Sequence, residues 1–145
     1  MSAEPAYFVD ANVLLYEYDA AEPEKRERAA QWIHALWESG RGRISWQALN
    51  EFYSVSTRKL KASPRVVRPV VEAYMQWEPA GISFGLVQQA WSWMDRASLS
   101  YWDALILAAA EHTGCRFLLS EDFQDGRDFG GVRVVNPFRM PPPAS

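Results

Sequence analysis

Short, wholly apolar runs alternate along this chain with longer stretches in which apolar residues recur every three or four positions, the patterns of buried strands and amphipathic helices. Tyr7-Phe8-Val9 predicts a strand that ends at Asp10. After the segment 12–18, Glu22-Pro23 predicts a helix opening, with proline in the first turn where its missing N–H costs nothing. Ala29, Ala30, Ile33, Leu36 and Trp37 fall on one face of that helix, and Gly40 closes it. Arg43-Ile44-Ser45 predicts a second, weaker strand, and Ser45 caps a helix from Trp46 to about Arg58. Arg68-Pro69 predicts the start of a further helix to Trp77, because the residue before proline resists α geometry. Helices over 85–96 and 101–112 follow, the second capped by Ser100 and ended by Gly114. Phe117-Leu118-Leu119 and Val132-Arg133-Val134-Val135 predict the closing strands. Strands alternating with helices, several short and apolar throughout, predict an α/β fold with a parallel sheet covered on both faces. The strand order stays open.

Length and composition narrow this picture without changing it. At 145 residues, 48% hydrophobic and 23% charged, the chain suits one domain, expected over residues 1–140 with a loose tail at 141–145. The first residues lack a basic region followed by an apolar run, and no stretch reaches membrane-spanning length without a charge, so neither a signal peptide nor a membrane partner is expected. Cys115 stands alone and cannot form an internal disulfide, which fits a cytoplasmic protein. The net charge of −3 argues against gripping nucleic acid by overall field, and it directs attention to the carboxylates.

Asp10 and Asp122 each stand just past an apolar strand, where ligands bind in open parallel sheets. Either alone reads first as a turn or helix-capping aspartate. Asp103 lies in the first turn of a helix that is otherwise apolar all round, with Ser100 placed to form a capping box. The helix dipole favours such an acid by only ~0.3–1 kcal/mol. Burying an isolated carboxylate costs several kcal/mol, so a buried Asp103 would need a cation. Glu51 borders the apolar arc of Ala48, Leu49, Phe52 and Val55, and reads either as leaning inward or as a solvated helix edge. If the four converge, oxygen-only ligation selects Mg²⁺, Mn²⁺ or Ca²⁺ over Zn²⁺. His34 and His112 sit in ordinary helical segments, so water activation would fall to the metal rather than to a histidine base.

Four stretches in order carry a family resemblance: Phe8-Val9-Asp10-Ala11-Asn12-Val13-Leu14, Asn50-Glu51-Phe52-Tyr53, Tyr101-Trp102-Asp103-Ala104-Leu105-Ile106 and Leu118-Leu119-Ser120-Glu121-Asp122. With Val135-Asn136-Pro137-Phe138 they span nearly the whole chain, which resembles the PIN-domain ribonucleases and most closely the VapC-type toxins of toxin–antitoxin pairs. The resemblance implies a three-layer fold with a central parallel sheet, and a metal-dependent endoribonuclease that hydrolyses RNA phosphodiester bonds with metal-activated water. It implies Asp10, Glu51, Asp103 and Asp122 as catalytic ligands of one or two Mg²⁺ or Mn²⁺ ions, with Asn12 and Ser120 supporting them. It further implies a homodimer and a small antitoxin that blocks the site. Many relatives carry a second acid two residues after the last one. Here Phe123-Gln124 intervene and Asp125 is the next acid, so Asp125 stands as the alternative fourth ligand.

Competing classes fit less well. A haloacid-dehalogenase phosphatase needs an aspartate where Asn12 stands, and a receiver domain needs a lysine near Leu119-Ser120-Glu121. No G-x-S-x-G elbow is present. The remaining alternative is a catalytically silent PIN-like module that binds RNA or a partner. Arg58, Lys59, Lys61, Arg65 and Arg68 form the one basic cluster and are candidate RNA contacts, or else a solvated helix end. Trp91 and Trp93 lie about 200° apart on a helical wheel. With Trp32 they cannot all face the core, so an aromatic is expected at an interface with a second copy or an antitoxin.

Overall fold

The computed structural model describes residues 4–143. Its sheet has five strands in the order β2-β1-β3-β5-β4: β1 (Tyr7–Val9), β2 (Gly42–Arg43), β3 (Phe117–Leu119), β4 (Asp128–Phe129) and β5 (Val132–Val135). β2, β1, β3 and β5 are parallel, and β4 pairs antiparallel with β5 at the edge. Tyr7 pairs with Phe117 and Val9 with Leu119, so β1 and β3 end level with each other. That register brings Asp10 and Ser120 side by side.

Six α-helices surround the sheet: α1 (Ala11–Tyr16), α2 (Pro23–Ser39), α3 (Trp46–Arg58), α4 (Pro64–Ala73), α5 (Phe84–Ala97) and α6 (Tyr101–His112). The connections β1-to-β2 and β2-to-β3 run in opposite directions across the sheet. Right-handed crossovers therefore put α2 on one face and α6 on the other. Side-chain alternation agrees. Tyr7 stacks on Phe117 at 4.8 Å and meets Trp32 of α2 at 5.5 Å, leaving Phe8 and Leu118 for the opposite layer. α6 is buried from Ala104 to Ala110 between the sheet and α5, as an all-apolar helix should be.

Most boundaries follow the sequence pattern; three do not. α4 opens at Ser63-Pro64, where the serine hydroxyl accepts from the Arg65 N–H and proline takes the first turn, so Pro69 sits inside the helix instead of opening it. Only a 3₁₀ turn at Tyr74–Trp77 continues to the expected end. The second strand is Gly42–Arg43, not Arg43–Ser45, because Ser45 is used as the cap of α3 and bridges to Ala80. β4 has no counterpart in the pattern: its two residues are held by Gly130-Gly131 in a left-handed turn. Trp32 Nε1 donates to Pro137 O at 3.1 Å and Met140 O at 3.0 Å, fixing the chain against α2 up to that point. Residues 141–143 of the expected tail carry no regular structure, and 144 and 145 lie outside the described residues.

Candidate active site

Asp10 is both the N-cap of α1 and the centre of a polar cluster. It ends β1, its N–H continues the ladder to Leu119 O, and it is 4% exposed. Oδ1 accepts from the Ala11 N–H at 2.8 Å. Oδ2 accepts from Ser120 Oγ at 2.8 Å and from Asn12 Nδ2 at 3.3 Å. Burial pushes the carboxyl up to about 7. The hydrogen bonds from Ser120 and Ala11 oppose that shift, and the charges of Asp122 and Glu51 add to it.

Asn12 ties the cluster together. Its amide also lies 3.1 Å from Ser120 Oγ and 3.1 Å from Asp122 Oδ2, and its Oδ1 accepts from the Glu121 N–H. Ser120 is fully buried, and its Oγ accepts from the Asp122 N–H at 3.1 Å. Two supporting residues thus join the ends of β1 and β3 and aim Asp122, itself exposed, over the sheet edge.

Glu51 and Asp103 approach from α3 and α6. Glu51 is exposed rather than buried, yet its carboxyl is raised by partial desolvation and by the charges of Asp122 and Asp103, with Lys59 opposing. Asp103 is half-buried. Its carboxyl is raised by desolvation and then by Asp122, against a hydrogen bond to Ser100. Ser100 Oγ accepts from the Asp103 N–H at 3.1 Å, one arm of the capping box. The charge of Asp122 acts on Asp10, Glu51 and Asp103 alike, so the four expected acids face one region.

The donor set is oxygen only, and a buried carboxylate sits at its centre, which suits a hard divalent cation. Among the described residues no three Asp, Glu, His or Cys side chains stand close enough together to enclose an ion as placed. The outer acids, Glu51 exposed and Asp103 half-buried at helix positions open to solvent, have room to turn inward.

Asp125 lies apart from this cluster. Its Oδ1 accepts from the Asn136 N–H at 2.9 Å, and its Oδ2 is 3.7 Å from Arg139, so it braces the loop before β5. Both histidines stand outside the cluster, exposed on α2 and at the end of α6. Arg58, Lys59, Lys61, Arg65 and Arg68 are all exposed. Arg58 Nε donates to Ser54 Oγ at 3.0 Å and Arg68 Nε to Tyr53 Oη at 3.0 Å, while Lys59 is near enough to act on Glu51. Lys61 turns the chain with φ +59°. Trp32 and Trp93 are buried, whereas Trp91 is 49% exposed, which bears out the expected division of the tryptophans.

The sequence reading missed one group. Glu121, beside Asp122, faces away from the cluster into a clamp: Lys25 Nζ lies 2.8 Å from Glu121 Oε2 and 3.3 Å from Tyr16 Oη, and Tyr16 donates to Glu121 Oε1. The ammonium also stands over the rings of Tyr16 and Phe138 at 4.8 and 5.3 Å. The adjacent acid pair Glu121-Asp122, in the bend after β3, was the available signal.

Fold and acid placement together define the class, a three-layer α/β domain with acids from four segments at the carboxyl edge of a mostly parallel sheet. The PIN-domain family model matches residues 7–124, and the chain belongs to the PIN-domain family. Among solved structures it is similar to VapBC from Salmonella typhimurium bound to DNA (TM-score 0.60, 18% identity, 90% of this chain and 97% of that one). It is also similar to VapC20 of Mycobacterium tuberculosis, a toxin that cleaves the sarcin–ricin loop (TM-score 0.55, 21% identity, 81% and 92%). No curated protein matches it by sequence.

Proposed function

We propose that this protein is an endoribonuclease of the VapC toxin type, in which Asp10, Glu51, Asp103 and Asp122 hold Mg²⁺ or Mn²⁺ against an RNA phosphodiester. The observation that carries the reading is the geometry at the ends of β1 and β3, where the buried Asp10 carboxyl is joined through Asn12 and Ser120 to Asp122, with Glu51 and Asp103 facing the same region. An acid kept buried there is accounted for by a cation, and by little else in a purely structural cap. A divalent ion held by these acids would supply an acidified water and a polarised phosphoryl oxygen. The chain's own residues do the rest. Asn12 and Ser120 orient Asp10 and Asp122, Glu51 and Asp103 close the opposite side, and the Lys25–Glu121–Tyr16 clamp fixes the loop that carries Asp122.

The structural relatives support a toxin with a small antitoxin partner, since one is itself a VapBC complex and the other cleaves an RNA loop. Homodimer formation, the number of ions and a cytoplasmic location belong to the same reading. No helix among the described residues is long and apolar enough to cross a membrane. One observation favours the silent-module alternative, the spacing of the acids beyond the reach of a single ion as placed. Purified protein incubated with a long transcript decides between them. Cleavage with Mn²⁺ or Mg²⁺, absent in EDTA and absent in Asp10→Asn, is the expected result. Transcript left intact by the wild type across a Mn²⁺ titration would leave the binding module as the better account.

A further inference from the structure

Trp102 is 65% exposed, the most exposed tryptophan of the chain, and it directly precedes Asp103 in the first turn of α6. Burying an indole is worth a few kcal/mol, so an indole left in water beside an acidic site calls for an explanation. Its position is fixed. Gln47 Nε2, from the first turn of α3, donates to Trp102 O at 3.1 Å and ties the two helix starts together. Gln47, Glu51 and Arg58 then follow one another along α3 at spacings of four and seven residues, within about 40° of one line on the helix. Trp102, Glu51 and Arg58 therefore succeed one another along a single surface strip, with Glu51 roughly 6 Å beyond Gln47 and Arg58 roughly 10 Å beyond Glu51 along the axis.

That succession matches a single nucleic-acid strand and not a protein partner. A protein interface surrounds its aromatic anchor with apolar neighbours and few charges. The Trp102 carbonyl accepts from Gln47 Nε2, its chain neighbour Asp103 is an acid, and among the described residues Tyr101 is the one ring paired with its indole, at 5.3 Å. A strand instead needs phosphate contacts on one side of the cut and a π face for an unpaired base on the other. The exposed pair Phe84 and Trp91 on α5, with ring centroids 6.2 Å apart, is the more apolar patch, but nothing in the structure shows what covers it.

We infer that Trp102 is a substrate-binding residue, a platform on which an unpaired nucleobase next to the cleaved phosphodiester stacks, while Arg58 holds the phosphate beyond Glu51. The inference rests on the nuclease reading above and adds a subsite to it. It makes the substrate RNA unpaired at the cut, and it makes recognition at that position tolerant of base identity, because every base offers a π face.

The test begins by mapping where wild-type protein cuts a long transcript with Mn²⁺. A short oligoribonucleotide spanning that point is then prepared in versions carrying one abasic nucleotide at successive positions. Trp102→Ala is expected to raise KM about tenfold with kcat little changed, the effect of one stacked base at ~1–3 kcal/mol. Trp102→Phe restores most of the loss, and Trp102→Leu, with apolar bulk but no π face, does not. One abasic position should harm the wild type and leave Trp102→Ala indifferent. Equal KM for wild type, Trp102→Ala and Trp102→Leu overturns the inference while leaving the nuclease reading standing. So does an unchanged KM accompanied by loss of self-association in sedimentation, which would make Trp102 a contact between copies. A wild type that cuts no transcript overturns the nuclease reading, and the subsite falls with it.

Discussion

Replacing Asp10 by asparagine should make the metal-free protein more stable at pH 8 while abolishing its activity. In the folded chain burial raises the carboxyl to about 7 from an ordinary 3.8. The native state therefore holds the proton more tightly than the unfolded chain between roughly pH 4 and 7, so stability falls as pH rises through that window and is lowest above it. At ~1.36 kcal/mol per unit, ionising Asp10 costs the fold up to about 4 kcal/mol. Asparagine never incurs this. Its amide does replace Oδ2, which accepts from Ser120 Oγ and Asn12 Nδ2, and that mismatch costs about 1–2 kcal/mol. Urea denaturation in EDTA should show the variant about 2 kcal/mol more stable at pH 8. At pH 4.5, where native Asp10 is protonated, the difference should move by about 3 kcal/mol and change sign, leaving the variant about 1 kcal/mol less stable than the wild type. Mn²⁺ at ~100 times its dissociation constant should restore about 2.7 kcal/mol to the wild type and little to the variant. A stability difference that is the same at both pH values would refute the argument, since it would mean that Asp10 is not held at a raised pKa.

Other outcomes follow from neighbouring geometry. Asp122→Asn should lower cleavage on the order of 10²-fold or more with the circular dichroism unchanged, whereas Asp125→Asn, which loosens only the Asn136 and Arg139 contacts, should be much milder. The reverse ranking in a Mn²⁺ titration would move the last ligand by three residues. Lys25→Met should weaken Mn²⁺ affinity by freeing the Glu121 loop, and Lys25→Arg should recover part of it; calorimetric titration giving equal affinities for all three proteins would show that the clamp does not position Asp122. Gly42→Ala would place a methyl 2.3 Å from the Trp77 ring, so it should cost about 1–3 kcal/mol in urea denaturation, and a neutral result would mean that the ring yields.

Much of the fold was legible because the site-bearing elements are short and strongly patterned. β1 and β3 are apolar triplets each ended by a polar residue, β5 breaks its apolar run only at the outward Arg133, and α6 is apolar from Ala104 to Ala110, so their places follow from burial. Two proline signals competed around α4. Ser63-Pro64 prevailed because it supplies both a cap and a first-turn proline, while Pro69 is accommodated within the helix. β4 was invisible because two residues held by a glycine turn leave no period to read. In the site, the positions of Asp10 and Asp122 follow from strand ends, but their link does not. The Asn12 amide and the Ser120 hydroxyl meet them only because β1 and β3 end in register, a property of pairing and not of either segment. The clamp on Glu121 is non-local in the same way, since Lys25 and Glu121 stand 96 residues apart.

The four acids are held with unequal stiffness, and that division bears on how the site would work. Asp10 and Asp122 belong to the sheet edge, tied by Asn12, Ser120 and backbone amides. Glu51 and Asp103 project from helices, and Ser100 is the only hydrogen-bond partner that acts on either carboxyl's pKa. A rigid half facing an adjustable half suits a site whose charges repel until a cation arrives, because only the loose half must move and the ordering cost falls on two side chains. It also places the substrate strip on the adjustable side, since Gln47, Glu51, Arg58, Trp102 and Asp103 all lie on α3 and α6. Strand binding and closure of the acids would then act on the same two helices. α6 itself is buried from Ala104 to Ala110 and stays in place, so a base resting on Trp102 would add to strand affinity while the Asp103 side chain turns toward the cation, and the two effects would separate into KM and kcat.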